Sequence, residues 1–184
     1  MRVIAGSAKG KKLHAPKGVD TRPTSDRVKE AIFNIIGRKV SGTRVLDLFA
    51  GTGNLGIEAM SRGATLAYFV DKRWEAVDVI KRNLEETGFT DKAVVIKSEA
   101  DKALRRLSKD ALKYDIIFVD PPYGISVTYL DAVMFKLASD MLNMDGLLIL
   151  EHSAKTEPRV VEGIETGSTR FYGDTAVTFY HKRG

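Results

Sequence analysis

From Arg44 onward the chain alternates short β-rich runs with amphipathic stretches, and this alternation constrains the fold more than any other feature. RVLDLFA (44–50) precedes LGIEAMSR (55–62), TLAYFVD (65–71) precedes RWEAVDVIKRNLEETG (73–88), and AVVIK (93–97) precedes ADKALRRL (100–107). YDIIFVD (114–120) then precedes SVTYLDAVMFKLASDML (126–142), and GLLILEH (146–152) closes the series. Strand-helix alternation of this kind predicts an α/β, doubly wound, mostly parallel sheet with helices on both faces. ETGSTRFYG and DTAVTFYHK follow each other around Gly173-Asp174 with no helix between, which predicts a C-terminal antiparallel hairpin and seven strands in all.

Upstream of this core, RVIAGSAKGKKL (2–13) reads as two short strands around a glycine-containing turn, followed by an irregular basic loop through Pro16 and Gly18 to Pro23. It looks like an appendage, so the expected division is a basic extension over residues 1–24 and a main domain over residues 25–184, together one compact unit. Thr24 or Ser25 can N-cap a helix whose apolar positions are Val28, Ala31, Ile32 and Ile35, with Gly37 as its stop.

Residues 1–30 hold eight Lys/Arg, including Lys9, Lys11, Lys12, Arg22, Arg27 and Lys29, against three Asp/Glu. That difference accounts for the whole chain's net charge of +5, so the rest is balanced. A basic arm on a neutral body points to a polyanion, although a solubilising terminus has the same pattern. The chain has no cysteine, which excludes disulfides and thiolate chemistry, and His14, His152 and His181 are too scattered for metal-ligand spacing. No metal is expected. No apolar run approaches the roughly 20 residues of a membrane span, and the first residues carry no apolar leader, so a cytoplasmic soluble protein is expected.

DLFAGTGNLG (47–56) contains G-x-G-x-x-G as Gly51, Gly53 and Gly56, directly after one strand and opening a helix, and Asp71 ends the next strand. Glycines admit a ligand close to the backbone, and an acid at the second strand's end suits two ribose hydroxyls. The loop residues Ala50, Thr52, Asn54 and Leu55, with Lys72 beyond Asp71, belong to the same candidate site for an adenosine-containing cofactor. Asp47 bears on which cofactor: a carboxylate opposes a pyrophosphate but is an apt neighbour for the sulfonium and ammonium of S-adenosylmethionine. Asp47 as a loop cap, Asp71 as a helix-terminal acid and a nicotinamide dinucleotide as cofactor remain alternatives. Glu99 and Ala100, after the third strand, fall where adenine would lie.

The fourth strand ends in Asp120-Pro121-Pro122-Tyr123. The prolines remove two consecutive N–H donors and bias the chain toward extended conformations, leaving a stiff rim of acceptors: the Asp120 carboxylate and the Pro121 carbonyl. Such a rim suits an exocyclic amine on a nucleobase, with Tyr123 as a stacking face. A rigid turn with a buried tyrosine is the bland reading.

DLFAGTGNLG, the acid of FVD at 71 and VDPPYG together resemble the class I, Rossmann-like S-adenosylmethionine-dependent methyltransferases that act on amines. RVIAGSAKGKKL, RPTSDRVKEAIFNIIG and DLFAGTGNLGIEAMSRGA resemble more narrowly the RsmD family of bacterial 16S ribosomal RNA guanine-N2 methyltransferases, over nearly the whole chain. The resemblance implies S-adenosylmethionine around Asp47, Gly51, Gly53, Asp71 and Glu99, the target amine at Asp120 to Tyr123, and a partly assembled small ribosomal subunit as partner. No obligate protein partner is expected, and the chain is read as a monomer. Arg22, Thr24 and Arg27 fall in the N-terminal signature, and a role toward RNA or the cofactor's carboxylate is expected of them. A DNA adenine-N6 or cytosine-N4 methyltransferase is the same-class alternative.

Overall fold

A computed structural model describes residues 1–16, 26–122 and 124–182. Its elements in chain order are α1 (Asp26–Ile36), β1 (Arg44–Leu48), α2 (Asn54–Ser61), β2 (Leu66–Asp71), α3 (Trp74–Thr87) and β3 (Ala93–Lys97). They continue with α4 (Ala100–Lys109), β4 (Tyr114–Val119), α5 (Val127–Lys136), β5 (Leu142–Ser153), β6 (Glu165–Tyr172) and β7 (Thr175–His181). The strands form one sheet in the order β3-β2-β1-β4-β5-β7-β6. β3 to β5 run parallel across it, and β7 is antiparallel to both β5 and β6. This is the expected doubly wound sheet with its closing hairpin. Among the described residues no helix is long and apolar enough to cross a membrane.

Side chains of successive strand residues alternate between two apolar layers. Val45, Phe69, Phe118 and Ile149 face α1, α2 and α3, whereas Leu46, Leu48, Ile117 and Leu148 face α4 and α5. Both faces are covered, which is why the central strands read as near-continuous apolar runs.

α1 ends at Ile36, but its buried stripe differs from the expected one. Val28, Lys29, Ile32, Phe33 and Ile36 are buried, while Ala31 is partly buried and Ile35 is 43 % exposed. Phe33 fixes the rotation: its ring packs 5.7 Å from that of Phe118 and carries the Arg62 guanidinium 4.9 Å above it. The same rotation brings Lys29 inside, where its ammonium lies 3.2 Å from the buried Glu58 carboxylate. Lys29 therefore does not belong to the exposed basic arm. Burial pulls its ammonium below the ordinary lysine value, and Glu58 opposes that pull. The expected cap at Thr24 or Ser25 lies outside the described residues.

Residues 2–13 turn back on themselves as expected: Arg2 and Lys12 form an antiparallel bridge, Val3 N–H donates to the Lys11 carbonyl and Gly10 N–H to the Val3 carbonyl, both at 2.9 Å, and the segment is also bonded to the body. Ile4 and Ala5 donate their N–H groups to Glu58 at 2.7 and 3.0 Å, and Ser7 N–H and Ala8 N–H bond to Ser61. Val3, Ala8 and Leu13 join the apolar layer of α1, α2 and α3.

The third glycine of the loop motif serves packing. A Cβ on Gly56 would stand 2.3 Å from Cε1 of Phe69, so only glycine lets α2 settle on β2. Gly56→Ala is expected to destabilise the protein by about 1–3 kcal/mol, read from urea denaturation midpoints; adding Phe69→Leu should restore part of the loss.

Candidate active site

β1 ends at Leu48 and the chain turns sharply into α2. Phe49, Gly51 and Gly53 have φ of 68°, 56° and 76°, three left-handed residues within five. Glycine adopts this conformation without strain, whereas Phe49 requires support from around it. That support is the partial packing of its ring in the α4–α5 layer and the clamping of the loop beside it. Ala50 N–H donates to the Val70 carbonyl at 2.9 Å, Gly53 N–H to the Ala50 carbonyl at 2.7 Å, and Asn83 Nδ2 to the Thr52 carbonyl at 2.9 Å.

Two carboxylates complete the clamp. Asp47 Oδ2 accepts the Gly56 N–H and Asp71 Oδ2 accepts the Gly51 N–H, both at 2.9 Å. Asp71 Oδ1 accepts the Arg73 N–H at 2.9 Å, and the Arg73 Nε lies 3.4 Å away. Burial raises the Asp47 carboxyl to about pH 7; the Gly56 N–H opposes the shift and the neighbouring Asp71 charge adds to it.

The loop borders a cavity of about 660 Å³, within the size range of small-ligand sites. It opens at the carboxyl ends of the strands, in the crevice between β1 and β4 where the winding of the sheet reverses. Asp47, Ala50, Gly51, Thr52, Asn54, Leu55, Asp71, Lys72, Glu99 and Ala100 line it, and Asp120, Pro121 and Pro122 form its rim. Gly53 and Gly56, expected at the ligand, are outside the lining: the Cβ position of Gly53 meets Ile57, Phe69 and Ile80, and Gly56 abuts Phe69. Lys9, Lys11, Lys12 and Arg27 are exposed and away from the cavity. Arg22, Thr24 and Tyr123 lie outside the described residues.

Glu99 precedes α4, and its exposed side chain makes no cap hydrogen bond. Beyond the half-buried Asp120, the Pro122 carbonyl accepts the Ile125 N–H at 3.3 Å, which leaves the Pro121 carbonyl as the rim's backbone feature. Met1, Pro16, Phe49, Arg73 and Tyr129 also line the cavity without having been singled out from sequence. Tyr129 is the most informative of these, since its hydroxyl accepts the Asp101 N–H at 3.4 Å and burial raises its pKa above the ordinary tyrosine value. No sequence pattern distinguished it from the apolar stripe of an ordinary helix.

Two N–H donors of the glycine motif are already engaged with carboxylates, since Gly51 and Gly56 give theirs to Asp71 and Asp47. An acidic cavity of this kind fits a ligand with cationic centres. Among the described residues no cluster of three or more His, Asp or Glu could hold a metal ion.

Sheet order and cavity position define a class I methyltransferase fold. The solved structure of yhhF from Escherichia coli superposes with a TM-score of 0.85 at 27 % identity, over 100 % of this chain and 98 % of that one. The family profile described as conserved hypothetical protein 95 matches residues 1–181, and the chain belongs to that family, the RsmD family that its N-terminal signature resembles. YlbH of Bacillus subtilis is 43 % identical over the full length of both chains. Ribosomal RNA small subunit methyltransferase D of Escherichia coli is 35 % identical over 90 % of this chain and 78 % of its own.

The raised Asp47 pKa sets a pH dependence. Between the ordinary carboxylate value and about 7 the unfolded chain has released this proton while the folded protein retains it, so stability falls as pH rises through that window. Asp47→Asn should remove this component, worth up to about 4 kcal/mol. The check is the difference between wild-type and variant unfolding free energies at pH 4 and pH 8.

Proposed function

We propose that the protein transfers a methyl group from S-adenosylmethionine to the exocyclic N2 amine of a guanine in 16S ribosomal RNA, in the assembling small subunit. The observation that carries this reading is the opening of the Asp120-Pro121 acceptor rim onto the same cavity as the acid-clamped glycine loop. When bound, S-adenosylmethionine supplies an electrophilic methyl on a sulfonium.

The residues of this chain divide the remaining work. The Asp47 carboxylate offsets cationic charge. Asp71 already accepts two backbone N–H groups, but carboxylate oxygens have further lone pairs, so it can also take ribose hydroxyls. Glu99, the Ala100 backbone and the Tyr129 hydroxyl surround the adenine end of the cavity in this assignment. At the rim, the Asp120 carboxylate and Pro121 carbonyl accept hydrogen bonds from the target amine, favour its nucleophilic form, and stabilise positive charge developing on nitrogen. The Asp120 carboxylate then takes the proton, which becomes acidic only as the new N–C bond forms. Tyr123 provides the face for the unstacked base, an interaction of roughly 1–3 kcal/mol. Lys9, Lys11 and Lys12, with Arg22, Thr24 and Arg27, contact RNA backbone.

The test is transfer of labelled methyl to undermethylated small subunits, naked 16S RNA and DNA in parallel, followed by identification of the modified base. Label at guanine N2 in the RNA or the subunit supports the proposal; label confined to DNA overturns it. Asp120→Ala should lower kcat by at least about a hundredfold and leave S-adenosylhomocysteine affinity nearly unchanged by calorimetry. Replacing Lys9, Lys11 and Lys12 together by Ala should weaken RNA binding and flatten the slope of log K against log salt, because fewer counterions are released.

A further inference from the structure

The N-terminal segment touches both halves of the proposed reaction. Its exposed side carries Lys9, Lys11 and Lys12, while its two ends, Met1 and Pro16, line the cavity. Between those ends it is fastened to the cavity loop by two buried polar connectors on different helices.

The first is Lys29 on α1. Its Nζ donates to the Arg2 carbonyl and to Asn54 Oδ1, each at 2.6 Å, and pairs with Glu58, which itself accepts the N–H groups of Ile4 and Ala5. Asn54, the first residue of α2, lines the cavity. The second connector is the fully buried Asn83 on α3. Its Oδ1 accepts the His14 N–H at 2.8 Å, and its Nδ2 donates to the carbonyls of His14 and Thr52 at 3.1 and 2.9 Å. Thr52 lines the cavity as well.

Each connector thus holds a backbone group of the N-terminal segment and a group of the cavity loop with one side chain. Neither partner can shift without leaving a buried polar atom unsatisfied, so intermediate positions are disfavoured. We infer that Lys29 and Asn83 are positioning residues that link RNA engagement by the N-terminal segment to cofactor affinity in the cavity. Because linkage is reciprocal, RNA tightens the cofactor as much as the cofactor tightens RNA. The inference deepens the proposed function and rests on it.

The experiment measures the affinity of S-adenosylhomocysteine, the methyl-transfer product, with and without undermethylated small subunits. The readout is the ratio of the two constants, which a purely structural defect would leave unchanged. In the wild type, subunits should tighten binding by about fivefold or more. Lys29→Met and Asn83→Leu should bring the ratio close to one, and Lys29→Arg should retain it. A parallel measurement needs no variant: S-adenosylhomocysteine alone should slow hydrogen exchange at the amides of Ile4 and Ala5 in the wild type. A wild-type ratio of one, a ratio unchanged in the variants, or unaltered exchange at those amides overturns the inference while leaving the proposed function standing. Absence of S-adenosylhomocysteine binding to the wild type overturns the proposed function itself.

Discussion

Glu58 is fully buried on α2, with the Lys29 ammonium 3.2 Å and the Arg62 guanidinium 2.7 Å from its carboxylate and two backbone N–H groups from the N-terminal segment beside them. Taking an uncompensated carboxylate out of water would cost several kcal/mol, so this group is tolerable only while its partners remain in place. Those partners come from α1, from Arg62 just past the end of α2 and from the first five residues. Removing one would leave a buried carboxylate oxygen short of a hydrogen-bond partner. The arrangement specifies where three pieces of chain meet, and the cavity loop ends four residues before Glu58, where the same helix begins.

The same preference for internal carboxylates governs the cavity. A glycine-rich turn from strand to helix usually presents free N–H groups to an anion, and the turn here has given two of them to Asp47 and Asp71. What remains is an acidic, partly apolar pocket, lined by Asp47, Asp71, Glu99 and Asp120. Position within the fold contributes the other half. The crevice between β1 and β4 brings the ends of the first and fourth strands together, so residues 47 and 120, distant in sequence, share one opening.

Much of this was legible in the sequence because the signals were local and repeated. Five β-rich runs alternating with amphipathic stretches allowed few architectures, and GLLIL or YDIIFV could be buried only between two layers of helices. Features set by contacts between distant residues were not legible. Lys29 looked like another basic residue of the arm, since nothing near it in sequence names Glu58. The stripe of α1 was shifted by one position because the Phe33 ring had to meet Phe118, a contact between residues distant in the sequence. Gly56 fitted a ligand motif, and only the proximity of Phe69 shows that it serves packing. The ties of the N-terminal segment to the body run through its own backbone groups, at Arg2, Ile4 and Ala5, which carry no sequence signal.

The antiparallel insertion of β7 between β5 and β6 has a consequence for the history of the chain. β5 carries Leu147 to Leu150, and its outer edge pairs with residues 175–181 rather than with any strand made before it. During synthesis the parallel part of the sheet can assemble around β1 and β4 while that edge offers unpaired N–H and carbonyl groups beside an apolar run. Such an edge is a template for intermolecular pairing. The nascent protein is therefore most exposed to aggregation late, between emergence of β5 and emergence of β7, and a chaperone that shields it would have to act within that interval.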